Sequence, residues 1–98
     1  MIKVDLTKDN IITIKGHANY DDKGKDIVCA SVSSIVITTI NAIIEIDSDA
    51  IDYSDLDNKI IIRILKEDEI VNKLIKNMVL LLEQLENDYK EYIKIIRR

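Results

Sequence analysis

Asp26 to Asp47 reads DIVCASVSSIVITTINAIIEID, and the fold turns on whether this stretch is strand or helix. β-branched residues crowd it, which locally favours strand. It is nevertheless far too long for one strand. The polar positions decide between the two. Ser31, Ser34, Thr38, Asn41 and Glu45 recur at steps of three and four, tracing one stripe along a helix, while Val28, Val32, Ile35, Val36, Thr39, Ile43 and Ile46 trace the opposite face. The spacing predicts a helix buried over most of its circumference, with Asp26 as a candidate N-cap. Interrupted in this way, the stretch falls short of the continuous apolar length that a membrane-spanning helix needs.

On the N-terminal side, Ile2, Val4 and Leu6 alternate with Lys3, Asp5 and Thr7, the period of a half-buried strand. Lys8-Asp9-Asn10 is turn chemistry, and Ile11 to Lys15 reads as the returning strand, which runs out at Gly16-His17. The eight residues Ala18 to Lys25 exceed the roughly two to six of an ordinary strand–helix loop. A connection that long is either mobile or functional. On the C-terminal side, Ala50 to Leu56 reads as a weak strand, Asp57-Asn58 as a tight hairpin turn and Lys59 to Leu65 as a strong strand. A second long helix closes the sequence, with Asp68 as N-cap and an apolar stripe through Val71, Leu74, Met78, Leu81, Leu82, Leu85, Tyr89, Tyr92 and Ile96. The order strand–strand–helix–strand–strand–helix predicts an α+β two-layer sandwich, an antiparallel sheet with both helices on one face.

A chain of 98 residues is expected to form a single domain over its whole length. Four Tyr and no Phe or Trp leave the core to Ile, Leu and Val. The formal charge of −4 argues against a nucleic-acid partner. Basic residues look scattered apart from Arg97-Arg98, so no counterion-releasing stripe is visible. One Cys allows no intrachain disulfide and suits a reducing compartment. The charged N-terminus, MIKVDLTKDN, is unlike a signal peptide. The expectation is a cytoplasmic protein without a membrane contact.

Cys29 and His17 are each the sole residue of their type. Taken singly, a lone Cys is ordinarily a small buried hydrophobe and a lone His a surface group. Their placement raises a sharper reading: His17 lies where a strand ends, Cys29 in the first turn of a helix, with a long polar loop between them. A first helical turn offers unsatisfied N–H groups and the positive end of the helix dipole, which favour a thiolate. His17 is then the candidate base, and the N–H groups around Cys29 are candidate donors to an oxyanion. Asp26 either caps the helix or orients His17. Ser33 lies one turn beyond the thiol, placed either to bond back to a main-chain carbonyl or to touch the pair. Other chemistries fail on inventory: one His and one Cys make no four-ligand zinc site, and no Cys-x-x-Cys, Gly-rich phosphate loop or Gly-x-Ser-x-Gly elbow is present.

Gly16-His17-Ala18, then Gly24-Lys25-Asp26-Ile27-Val28-Cys29-Ala30 and Ser33, resemble the signature of the ribosomal-processing cysteine proteases. The resemblance implies a homodimeric α+β endopeptidase needing no cofactor, with Cys29 as nucleophile, His17 as base, and Asp26 and Ser33 at matching positions of supporting role. It implies a substrate too: the precursor of large-subunit ribosomal protein number twenty-seven, from which members remove a short N-terminal extension after an aromatic residue during ribosome assembly in Firmicutes and related bacteria. Two rival readings are a non-catalytic ribosome-assembly factor of the same fold, and a dimeric scaffold whose Cys29 is inert. A binder would need neither His17 nor Cys29, and a scaffold's thiol would alkylate only on unfolding.

Overall fold

The computed structural model describes residues 1–22 and 25–98. In chain order the elements are β1 (Ile2–Leu6), β2 (Ile11–Lys15), α1 (Ile27–Ile46), β3 (Ile51–Leu56), β4 (Lys59–Ile64), α2 (Glu69–Asp88) and β5 (Ile93–Arg97). The disputed stretch is a helix. Val28, Val32, Val36, Ile40 and Ile43 are its buried positions, and Ser34, Thr38, Asn41 and Glu45 of the polar stripe are exposed. By length and composition alone α1 could cross a membrane, but here its apolar face lies against the sheet and α2.

The sheet has five strands in the order β3-β4-β2-β1-β5. Two hairpins pair antiparallel, as do β2 and β4 between them. Asp57 and Asn58 take φ of 54° and 62° at the β3–β4 turn, the left-handed pair that a two-residue hairpin demands. Strand β5 departs from the expected architecture. It pairs parallel with β1, Val4 opposite Ile95, so the sheet is mixed rather than purely antiparallel.

The expected second helix therefore ends too late. Leu85, Tyr89, Tyr92 and Ile96 keep helical spacing, and that spacing carried the stripe past the true end. Helix α2 stops at Asp88, with Tyr89 as its C-cap. Beyond the cap, Ile93-Lys94-Ile95 alternates buried, exposed, buried, and a two-residue period belongs to a strand. The outer edge of β5 is blocked: the Glu86 carboxylate accepts from Ile95 N–H at 2.6 Å. Such blocking deters pairing with another chain.

Both helices cover the sheet face that carries Ile2, Val4, Ile12, Ile14, Ile62, Ile93 and Ile95, and these close one core with Val36, Ile40, Met78 and Leu82. Coverage thins toward β3, where Tyr53, though it shares a sheet face with buried Ile51, is 43% exposed. Ile93 is fully buried, so Ile93→Ala is expected to cost about 2–5 kcal/mol. Urea unfolding followed by circular dichroism measures this, and a loss near zero would remove β5 from the core.

Candidate active site

Strand β2 gives way to Gly16, whose φ of +95° and whose closeness to Met1 admit no side chain: a Cβ would lie 2.6 Å from the Met1 carbonyl oxygen. Gly16 N–H donates to the Asn58 carbonyl at 3.2 Å. This glycine turns the chain out of the sheet and delivers His17 to the surface beside the N-terminus of α1.

Asp26 organises the opposite wall. Its Oδ1 accepts from Val28 N–H and Cys29 N–H, each at 3.0 Å, and its Oδ2 accepts from Tyr20 N–H at 3.0 Å. One carboxylate thereby caps the helix and ties the loop to it. The bond from Cys29 N–H, opposed by partial desolvation and aided by the Tyr20 N–H, the Cys29 thiol and the Val28 N–H, holds the Asp26 carboxyl below its ordinary 3.8. Of the two roles open to Asp26, it takes the cap. Among the described residues it makes no bond to His17.

The thiol of Cys29 is half-buried. Its Sγ accepts from Ala18 N–H at 3.3 Å, and Ala18, buried to 3% exposure, anchors the start of the loop in the core. Farther along, the Tyr20 ring sits edge-on to Tyr89 and Tyr92, with centroids 5.5 and 5.0 Å away. Such edge-to-face pairs are favourable beyond their area. The loop is thus fixed at Ala18 and Tyr20. Its expected continuation through Lys23 and Gly24 lies outside the described residues, as does the Gly24 of the sequence signature.

His17, Asp26, Cys29 and Ser33 all line one open cleft of about 660 Å³, together with Asn19, Asp21, Ala30 and Asn58. A second hollow of about 360 Å³ continues from His17, Cys29 and Ser33 between α1 and the sheet, past Ile37, Asp55 and Ile60. His17 is exposed and, among the described residues, makes no hydrogen bond, to Cys29 or otherwise. Ser33 is exposed too and, among the described residues, makes no back-bond, whereas Ser31 and Thr39 do, to Ile27 and Ile35 carbonyls. Ser33 instead turns toward the cleft.

The first-turn donors are engaged in this structure. The N–H groups of the first turn were candidate oxyanion donors, but Val28 and Cys29 are committed to Asp26 Oδ1, and Ala30 N–H donates to the Asp26 carbonyl at 3.1 Å. The cap that starts the helix consumes them. The donor at the thiol is Ala18 N–H, which sequence reasoning missed. Apolar Ala18 beside His17 gave no signal of it, because a backbone contact across the loop leaves no residue-type mark. Tyr20 was legible only as the one aromatic residue in a polar stretch.

A thiol at a helix N-terminus and an imidazole sharing one open cleft is the arrangement of a thiol hydrolase. Comparison with known proteins agrees. A family model described as cysteine protease Prp matches residues 1–94. The ribosomal processing cysteine protease Prp of Staphylococcus aureus strain Mu50 is 33% identical over 103 aligned positions covering 97% of each chain, and that of Bacillus subtilis strain 168 is 27% identical, covering 82% of this chain and 78% of its own. The crystal structure of an essential ribosomal processing protease Prp from S. aureus, in complex with a covalently linked product peptide, superposes with a TM-score of 0.93 at 28% identity, covering all of both chains. The chain belongs to the Prp family of cysteine proteases.

The lowered Asp26 carboxyl carries a pH signature. A carboxyl depressed in the folded state stabilises the fold above its ordinary pKa and loses that contribution as pH falls through the folded value. Thermal stability is therefore expected to fall on acidification below about pH 3.8. Asp5, held down by Arg98, and Asp47, held down by Lys66, contribute in the same direction. Asp26→Asn keeps a capping oxygen but turns an amide N–H₂ toward Tyr20 N–H. It is expected to lose only its own share of the acid dependence and to speed hydrogen exchange at the Tyr20 amide. Unchanged exchange there would show that Asp26 does not hold the loop.

Proposed function

We propose that this chain is a cysteine endopeptidase of ribosome assembly, acting in the bacterial cytoplasm, with Cys29 as nucleophile and His17 as general base. The observation that carries this reading is the convergence of His17 and Cys29 on one cleft, with Ala18 N–H directed at the sulfur. The Cys29 sulfur attacks the scissile carbonyl carbon, forming the C–S bond, while its proton passes to His17. The oxyanion draws on Ala18 N–H, freed as the sulfur commits its lone pair to carbon. Collapse breaks the C–N bond, and His17 returns the proton to the leaving amine. Water, deprotonated by His17, then hydrolyses the thioester and regenerates the thiol. His17, exposed and without a hydrogen bond among the described residues, must swing toward the sulfur when substrate fills the cleft; catalytic hydrogen bonds commonly tighten only then. Asp26 acts through position, holding Cys29 in the first turn and the loop against it, and Ser33 lines the floor on which the peptide lies.

The substrate class is inferred from the relatives. One S. aureus Prp structure holds a substrate peptide and another a covalently linked product peptide, and a product bonded to enzyme is in keeping with nucleophilic catalysis. The substrate we infer is the precursor of large-subunit ribosomal protein twenty-seven, cut after an aromatic residue so that its N-terminal extension is released. A homodimer belongs to the same reading, and sedimentation velocity tests it.

Incubation with that precursor, with mass spectrometry locating the new N-terminus, is the decisive experiment. Cys29→Ala is expected to abolish cleavage, and His17→Ala to slow it about 10²–10⁴-fold, both with the parent's circular dichroism. Cleavage by Cys29→Ala at the parent rate would overturn the assignment of the nucleophile.

A further inference from the structure

Register assembles what the sequence scatters. Lys3 lies opposite Lys15, Lys15 opposite Lys59, and Lys94 opposite Lys3 on its other side. Lys59, Lys15, Lys3 and Lys94 therefore form one row straight across β4, β2, β1 and β5. All four are exposed, and each alternates along its strand with residues of the core side: Ile60, Ile14, Ile2 and Ile93. The row thus stands on the sheet face that the helices leave open. With strands about 4.8 Å apart, it runs roughly 14 Å.

Like charges directly opposite one another across a sheet are destabilising, and this row repeats that arrangement at every step in a chain of net charge −4. Among the described residues none of the four lysines forms an ion pair, although carboxylates share the face. Asp5 is taken by Arg98 at 2.9 Å and Asp52 by Arg63 at 3.5 Å, and Lys15 touches Asp5 only at longer range. Near the end of β2 the row opens into a hollow of about 400 Å³ that includes His17 and the turn residue Asp57. An array that costs stability and forms no ion pair among the described residues is explained by an external counter-charge.

We propose that this row binds the phosphate backbone of RNA without regard to sequence. A file of charges one residue wide fits a single strand of phosphates, which can run past Asp5 and Asp52. A membrane of anionic headgroups would have to meet those carboxylates together with the lysines. Among the described residues no aromatic side chain stands on this face to stack a base, so recognition stops at the backbone. The inference reverses the expectation of no nucleic-acid contact drawn from net charge, and it stands independently of the protease chemistry. Its sense in a ribosomal processing enzyme is that a ribosomal protein is met among RNA.

The test is fluorescence anisotropy of a labelled oligouridine with the full chain at low salt, repeated across a salt series. Binding is expected, with log K falling against log salt at a slope of about −1.5 to −3, the range for two to four phosphates on a single strand. Lys15→Glu sits between two lysines, so it is expected to weaken binding roughly tenfold or more while raising the melting temperature, opposite-charge neighbours being favourable. Lys76→Glu on α2 makes the same change in net charge away from the row and is expected to bind as the parent does. The proposal is overturned if the parent binds no oligouridine at low salt, or if Lys76→Glu weakens binding as much as Lys15→Glu. It is overturned equally if vesicles of anionic phospholipid are bound and oligouridine is not.

Discussion

The Asp26 carboxylate is the constraint on which the site depends. Its two oxygens accept three backbone N–H groups, two from the first turn of α1 and one from Tyr20 in the loop. A helix cannot begin without satisfying its first donors, so Asp26 fixes where α1 starts and hence where Cys29 stands on it. The same group draws in the loop that brings Ala18 N–H to the sulfur. Helix register, loop position and thiol environment are therefore one event. They are set by a side chain whose worth lies in having two acceptor oxygens at one point.

The reach of the sequence stopped where contacts ceased to be local. The helical reading of Asp26 to Asp47 held because the polar stripe encodes an angle, and an angle survives any amount of β-branched composition. The Asp57-Asn58 turn was legible for a related reason, since few residues tolerate positive φ. His17 and Cys29 could be singled out by rarity and by their positions at element ends, and the structure brings both to one cleft. What the chain conceals is pairing between distant segments. Residues 93–97 keep a helical spacing with the residues before them, and only β1, lying alongside, makes them a strand. The lysine row is hidden likewise: its members belong to four strands and align only through register.

The committed N–H groups of the first turn carry a related lesson. A helix N-terminus suggests free donors until its cap is counted, and a cap good enough to define the helix leaves little for a ligand. The site answers by borrowing a donor from across the loop. That borrowed donor comes at the cost of dependence on the Tyr20–Tyr89–Tyr92 contact, which joins the loop to the junction of α2 and β5.

The parallel pairing of β1 with β5 also bears on how the protein comes to exist. Arg98 reaches Asp5 across 93 positions of sequence, and every β1–β5 pair is separated almost as far. Contacts of this range reward the chain only after a large loop has closed, and topologies rich in them fold slowly. Until residues 93–97 are in place, β1 presents an unpaired edge and the tyrosines that brace the loop have no fixed seat. The thiol's surroundings are thus complete only once the sheet has closed. A partly folded chain holds its cysteine without the framework that directs it, which confines ordered thiol chemistry to molecules that have closed their sheet.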